Sequence, residues 1–124
     1  MKCLVVDDSA TMRRIVVNAL KSIGYESVVQ AGDGSDALQK CDASIELIIT
    51  DWNMPVMGGL DFVKALRSNP QHARTPILMV TTRSVKEDIL QAVEAGVSSY
   101  ILKPFTPQVL KEKIDQILSP SGSA

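Results

Sequence analysis

The sequence predicts an α/β fold: a doubly wound sheet of five parallel strands, with five helices on its two faces. Three observations predict it. Short apolar runs without polar alternation recur five times, as strands covered on both faces require. An amphipathic stretch with a 3.6-residue apolar period follows each run. Glycine, proline and capping residues punctuate the joins.

The first strand, residues 3–6, ends at Asp7-Asp8. Ser9 can cap a helix whose apolar face is Met12, Ile15, Val16, Ala19, Leu20 and Ile23, with Gly24 as its stop. Residues 27–29 form a second, weaker strand. Asp33-Gly34 reads as a turn before a short helix over 35–41, with Ala37, Leu38 and Cys41 inward. The third strand centres on Leu47-Ile48-Ile49 and runs into Thr50-Asp51. Met54-Pro55 and Gly58-Gly59 then turn the chain. Leu60, Val63 and Leu66 mark a helix that stops before Asn69-Pro70. His72 falls in this polar segment and is expected to be solvated. The fourth strand, 77–80, ends at Thr81-Thr82. Val85, Ile89, Ala92 and Val93 mark the next helix, closed by Gly96. The fifth strand, 100–102, ends at Lys103-Pro104. Thr106 caps the last helix, Pro107 opens it, and Leu110, Ile114, Ile117 and Leu118 form its buried stripe.

A chain of 124 residues, 45% hydrophobic and 22% charged, suits one globular domain. That domain is assigned to residues 1–118, and the Ser/Gly/Pro tail at 119–124 reads as a flexible appendage. With 13 basic and 14 acidic residues there is no electrostatic footprint for nucleic acid and no basic helix for a membrane surface. The apolar runs are too short to span a bilayer, and no secretory leader is seen. Cys3 and Cys41 lack metal-ligand spacing and read as reduced thiols, which points to the cytoplasm.

In an open parallel sheet, sites form beyond the carboxyl ends of the strands, where the strand order switches. The residues just past the apolar runs are Asp7 and Asp8, then Asp51, Thr81 and Lys103. Taken alone, each has an ordinary reading: the aspartates as helix caps, Thr81 as a loop hydroxyl, Lys103 as a solvated charge. Taken together they do not. In the order 2-1-3-4-5, strands one and three are neighbours, so Asp7, Asp8 and Asp51 share a pocket. Three carboxylates repel and need a cation, and an oxygen-only set favours Mg²⁺. A lysine and a hydroxyl beside them suit a phosphoryl group, with Asp51 as the carboxylate nucleophile. Neither a Gly-x-x-x-x-Gly-Lys-Ser/Thr loop nor a Gly-x-Gly-x-x-Gly motif is present, so the phosphoryl group must come from outside rather than from a nucleotide held by this chain.

These residues resemble the receiver domains of two-component response regulators. The likeness covers Lys2 to about Leu118 and rests on Val5-Val6-Asp7-Asp8-Ser9, Ile49-Thr50-Asp51-Trp52-Asn53-Met54-Pro55, Thr81 and Tyr100-Ile101-Leu102-Lys103-Pro104-Phe105. Thr11 to Ile15 and Lys103 to Pro107 resemble the chemotaxis branch most. The flavodoxin-like order 2-1-3-4-5 is the known one for that branch, and it is the resemblance that supplies it, since alternating strands and helices leave the order open.

The resemblance implies that Asp51 accepts a phosphoryl group from a sensor histidine kinase, CheA-like in this branch. It implies that Asp8, Asp51 and the carbonyl of Asn53 ligate Mg²⁺, with Asp7 acting through a water. Lys103 would contact the phosphoryl oxygens, and Lys103-Pro104 would be a cis peptide. Thr81 and Tyr100 would be the switch residues, altering the face of the fourth helix, fifth strand and fifth helix that binds the flagellar motor switch protein. A phosphatase is a further expected partner, and the chain is expected to act as a monomeric signalling module rather than a turnover enzyme. Two features depart from the pattern. Gly58 stands where an acidic residue or Asn is usual, and Arg83 where the best-known chemotaxis regulators are acidic. Asn53 and Arg83 are therefore the expected tuners of phosphoryl hydrolysis. The alternatives are the receiver half of a longer DNA-binding regulator and an aspartyl phosphatase. The latter wants a second acid two residues after its nucleophile, where this chain has Asn53. A flavin domain of the same fold would want a hydroxyl- and glycine-rich loop where Asp7-Asp8 stands.

Overall fold

The structure is a computed structural model that describes residues 2–118. The 119–124 tail lies outside the described residues. Five strands, β1 (Lys2–Val6), β2 (Ser27–Ala31), β3 (Ile45–Thr50), β4 (Ile77–Thr81) and β5 (Ser99–Leu102), alternate with α1 (Ala10–Ser22), α2 (Gly34–Lys40), α3 (Gly59–Ser68), α4 (Lys86–Ala95) and α5 (Pro107–Leu118). A 3-10 turn at Pro70–His72 precedes β4. All pairings are parallel, in the order β2-β1-β3-β4-β5.

Why the strands lack polar alternation is visible in the two cores. Cys3, Val5, Leu47, Ile49, Leu78 and Val80 face one side, against Val16, Val17 and Leu20 of α1 and Leu110 and Ile114 of α5. Leu4, Val6, Ile48, Ile77 and Met79 face the other, against Ala37 of α2, Phe62, Val63 and Leu66 of α3 and Ala92 of α4. Side chains alternate across a strand, so a strand buried on both faces must be apolar at every position.

The caps fall where the sequence places them. The Ser9 hydroxyl accepts from the Met12 amide at 3.2 Å, and the Thr106 hydroxyl from the Val109 amide at 3.2 Å. Gly24 and Gly96 take positive φ at helix ends, as left-handed stops do.

Four expectations are corrected. Asp33 is not simply part of a turn: it is the N-cap of α2, and its carboxylate accepts from the Asp36 amide at 2.8 Å. Ile15 is 46% exposed, and Val17 takes its place in the core of α1. Val85 and Val93, both 56% exposed, lie on the outside of α4, where Ala92 alone is buried. His72 is buried rather than solvated. Its Nδ1 lies 3.0 Å from the Thr75 hydroxyl and its Nε2 lies 3.5 Å from the Cys41 sulfur, so both ring nitrogens have partners inside.

Candidate phosphoacceptor site

Register brings the acids together. Val6 pairs with Thr50, so β1 and β3 end at one level, and the Asp51 amide donates to the Val6 carbonyl at 2.9 Å. Asp7, Asp8 and Asp51 each place a carboxylate oxygen within 4.8 Å of the others. Thr81 pairs with Leu102, and the Lys103 amide donates to the Thr81 carbonyl at 2.8 Å, which delivers Lys103 to the same rim. Its Nζ lies 3.2 Å from Asp7 and 3.4 Å from Asp51. The Lys103-Pro104 peptide is cis.

Asp7 is the most enclosed of the three acids and the most fully bonded. Its amide donates to Ala31, one carboxylate oxygen accepts from the Ser9 amide at 2.9 Å, and the other faces Lys103. Asp8 is exposed. Asp51 is half-buried, and its carboxylate accepts from the Trp52 amide at 2.7 Å. Burial pushes the Asp51 carboxyl above the ordinary carboxylate range, against the pull of Lys103 and of the Trp52 amide.

Three carboxylates against one ammonium leave the pocket negative, and the set holds neither imidazole nor thiolate. These residues fit a hard divalent cation of the Mg²⁺ kind, held by carboxylates and water.

The remaining expected residues surround this centre. The buried Thr81 hydroxyl accepts from the Arg83 amide at 3.2 Å. The Tyr100 hydroxyl donates to the Arg83 carbonyl at 2.6 Å. Asn53 is exposed, and its side-chain oxygen accepts from Arg83 at 2.9 Å. Gly58 is the N-cap of α3 without a side chain to cap it. Gly59 is fixed by packing, since a Cβ there would drive into the Asp51 carbonyl.

Sequence reasoning missed Arg13, whose guanidinium donates to the Asp7 carbonyl at 2.6 Å and to Gln30 at 3.3 Å, bracing the turn that carries the acids. It also missed Asp88, which pairs with Arg83 at 3.3 Å. For Arg13 a signal existed, a cation one helical turn past the Ser9 cap. Asp88 looks like any first-turn acid of a helix.

Fold and rim together define a receiver. The chain belongs to the response regulator receiver domain family, whose model matches residues 3–115. It is 53% identical over 120 residues to chemotaxis protein CheY1 of Helicobacter pylori, covering 95% of this chain and 97% of that protein. It is 49% identical to the chemotaxis protein CheY homolog of Campylobacter jejuni, covering 95% and 92%. Among solved structures, chemotaxis response regulator CheY4 of Vibrio cholerae superposes with a TM-score of 0.87 at 42% identity, over 94% of this chain and 98% of that one. The chain is thus a CheY-like receiver of chemotaxis signalling, a signalling module. No helix among the described residues is long and apolar enough to cross a membrane.

Proposed function

We propose that this receiver is switched by phosphorylation of Asp51. The observation that carries the reading is the meeting of Asp7, Asp8, Asp51 and Lys103 at one rim. A carboxylate oxygen of Asp51 attacks the phosphorus of a phosphohistidine on a CheA-like kinase. The P–N bond breaks as the P–O bond forms, and the imidazole leaves with the bonding pair. The Lys103 ammonium balances charge on the transferred oxygens. Asp8 and Asp51, with the Asn53 carbonyl, would hold Mg²⁺, and Asp7 would act through its water. The ion would supply the positive charge that lets an anion approach this acidic pocket. Water later attacks the acyl phosphate and regenerates the carboxylate, at a rate tuned by the groups over the mouth, Asn53 and Arg83.

The output is read from the switch pair. Thr81 turns toward the phosphoryl group and Tyr100 turns inward, which alters the face of α4, β5 and α5. That face exposes Leu90, Val93, Leu102 and Val109, apolar residues left open among the described residues. A flagellar motor switch protein is the partner proposed for it, with a phosphatase as a second partner. The setting is cytoplasmic and the receiver monomeric.

Incubation with acetyl phosphate and Mg²⁺ should add one phosphoryl mass to the wild type and none to Asp51→Asn. Wild type that stays unmodified under these conditions refutes the reading.

A further inference from the structure

Asp7 has a partner at each of its four polar groups. Its amide donates to the Ala31 carbonyl at 3.1 Å, one carboxylate oxygen accepts from the Ser9 amide at 2.9 Å, and the other faces Lys103 at 3.2 Å. The fourth group is its carbonyl, which accepts from Nη1 of Arg13 at 2.6 Å. That carbonyl belongs to the peptide that leads into Asp8. Asp8 is exposed, and among the described residues its carboxylate has neither a hydrogen bond nor an ion pair. The backbone that carries Asp8 therefore sets its aim.

Arg13 is anchored on its other side as well. Its Nε donates to the Gln30 side chain at 3.3 Å, at the end of β2. The Gln30 carbonyl accepts from Lys40 of α2 at 2.9 Å. Lys40 pairs with Asp36, and Asp36 accepts from the Gly32 amide at 3.2 Å. Both α1 and α2 thus brace the end of β2, and Arg13 carries that bracing to the Asp7-Asp8 peptide.

We propose that Arg13 is a positioning residue of the cation site, holding the Asp7-Asp8 peptide in the orientation that turns Asp8 toward a divalent ion. The inference rests on the reading of Asp8 and Asp51 as carboxylate ligands of that ion. On charge alone, an arginine here works against a cation. Its planar fork serves two acceptors in a fixed geometry, which a lysine cannot do. A ligand restrained before the ion arrives loses less freedom on binding it. Charge and position therefore predict opposite signs. Removing a repelling charge tightens Mg²⁺ binding, whereas removing a strut weakens it.

The test is a Mg²⁺ titration of the metal-free protein at fixed ionic strength, followed by Trp52 emission and by the amide shifts of residues 7–9. Arg13→Ala should bind about tenfold more weakly than wild type, as when a ligand loses its supporting hydrogen bond. Gln30→Ala removes no charge and should lose about threefold. The double variant should be no weaker than Arg13→Ala, because the two side chains act as one strut. Arg13→Lys keeps the charge with one donor and should fall between Arg13→Ala and wild type. Arg14→Ala removes an exposed cation on the same helix and should bind at least as tightly as wild type.

An unchanged or tighter Kd in Arg13→Ala overturns the proposal, even where its urea midpoint falls, since that pattern is a brace for the fold alone. Equal losses in Arg13→Ala and Arg14→Ala overturn it too. In both cases, Mg²⁺ binding that is lost in Asp8→Ala leaves the cation site standing. A wild type without any Mg²⁺ response at residues 7–9 overturns both readings.

Discussion

The Lys103 ammonium stands 3.4 Å from the Asp51 carboxylate, although β3 and β5 are not neighbours in the sheet. Lys103 reaches past β4 to close the pocket, and both side chains are largely enclosed, at 15% and 13% exposure. Breaking such a pair leaves charge uncompensated in a poorly solvated place. Lys103→Met should therefore lower the stability of the metal-free protein by about 3 kcal/mol at neutral pH, read from the urea midpoint. The Lys103→Met/Asp51→Asn double variant should recover much of the loss, because the stranded charge is gone.

The raised Asp51 carboxyl gives a pH dependence of definite sign. Its folded-state value lies above the ordinary 3.8, so the folded chain holds that proton more tightly than the unfolded chain does. Stability falls as pH rises from 3.8 through the raised value, and the cost is fully present at pH 7. Asp51→Asn should be more stable than wild type at pH 7 without metal, and the two should converge below 3.8. Urea midpoints across that range measure it. A gap that widens toward acid would contradict the physical cause, in which burial raises the carboxyl most and the neighbouring Asp7 charge adds to it.

Mg²⁺ should act in the opposite direction. It should raise the urea midpoint of the wild type and change the emission of Trp52, which follows Asp51 directly and stacks under Arg83. Asp8→Ala should blunt both effects. Equal responses in the two proteins would place the metal elsewhere.

Among the described residues, the loop after Asp51 holds the one non-glycine with positive φ. Val56 has φ of +65° and is 86% exposed, so a β-branched residue takes a left-handed conformation with no packing return. Val56→Gly should raise stability by about 1 kcal/mol, seen as a thermal midpoint a few degrees higher. The neighbouring glycines should behave differently from each other. At Gly58 φ is −74° and a Cβ would meet only the Trp52 carbonyl at 3.2 Å, so Gly58→Asp should fold and gain a few tenths of a kcal/mol as a helix cap. At Gly59 a Cβ meets the Asp51 carbonyl itself, so Gly59→Ala should cost about 3 kcal/mol or more.

Four strand ends were legible because each apolar run stops at a polar residue, and a doubly wound sheet makes those stops converge; β2 instead runs on past the expected 27–29 to Ala31. The helix caps were legible because Ser9, Thr106 and Pro107 act on their immediate neighbours. What stayed hidden depends on tertiary partners. His72 looks solvated in its polar segment, and only Cys41 and Thr75, distant or loop-borne, make it a core residue. Periodicity gave α4 an apolar face but could not say that Val85, Leu90 and Val93 would stay uncovered. Cys3 and Cys41 are free thiols, as their spacing implies, and burial pushes both up to about 11. Arg83 was visible only as an unusual residue near Thr81. Its reach to Trp52 and Asn53 exists only once β3 and β4 lie side by side, whereas its pair with Asp88 is local, between the loop after β4 and the first turn of α4.

The acceptor itself can be identified most directly by chemical trapping. Protein treated with acetyl phosphate and Mg²⁺, then reduced with borohydride, should carry one reduced acyl phosphate, converting Asp51 alone to homoserine in the peptide map. A trapped product at Asp7 or Asp8, or none in Mg²⁺-loaded wild type, would contradict Asp51 as the phosphoryl acceptor.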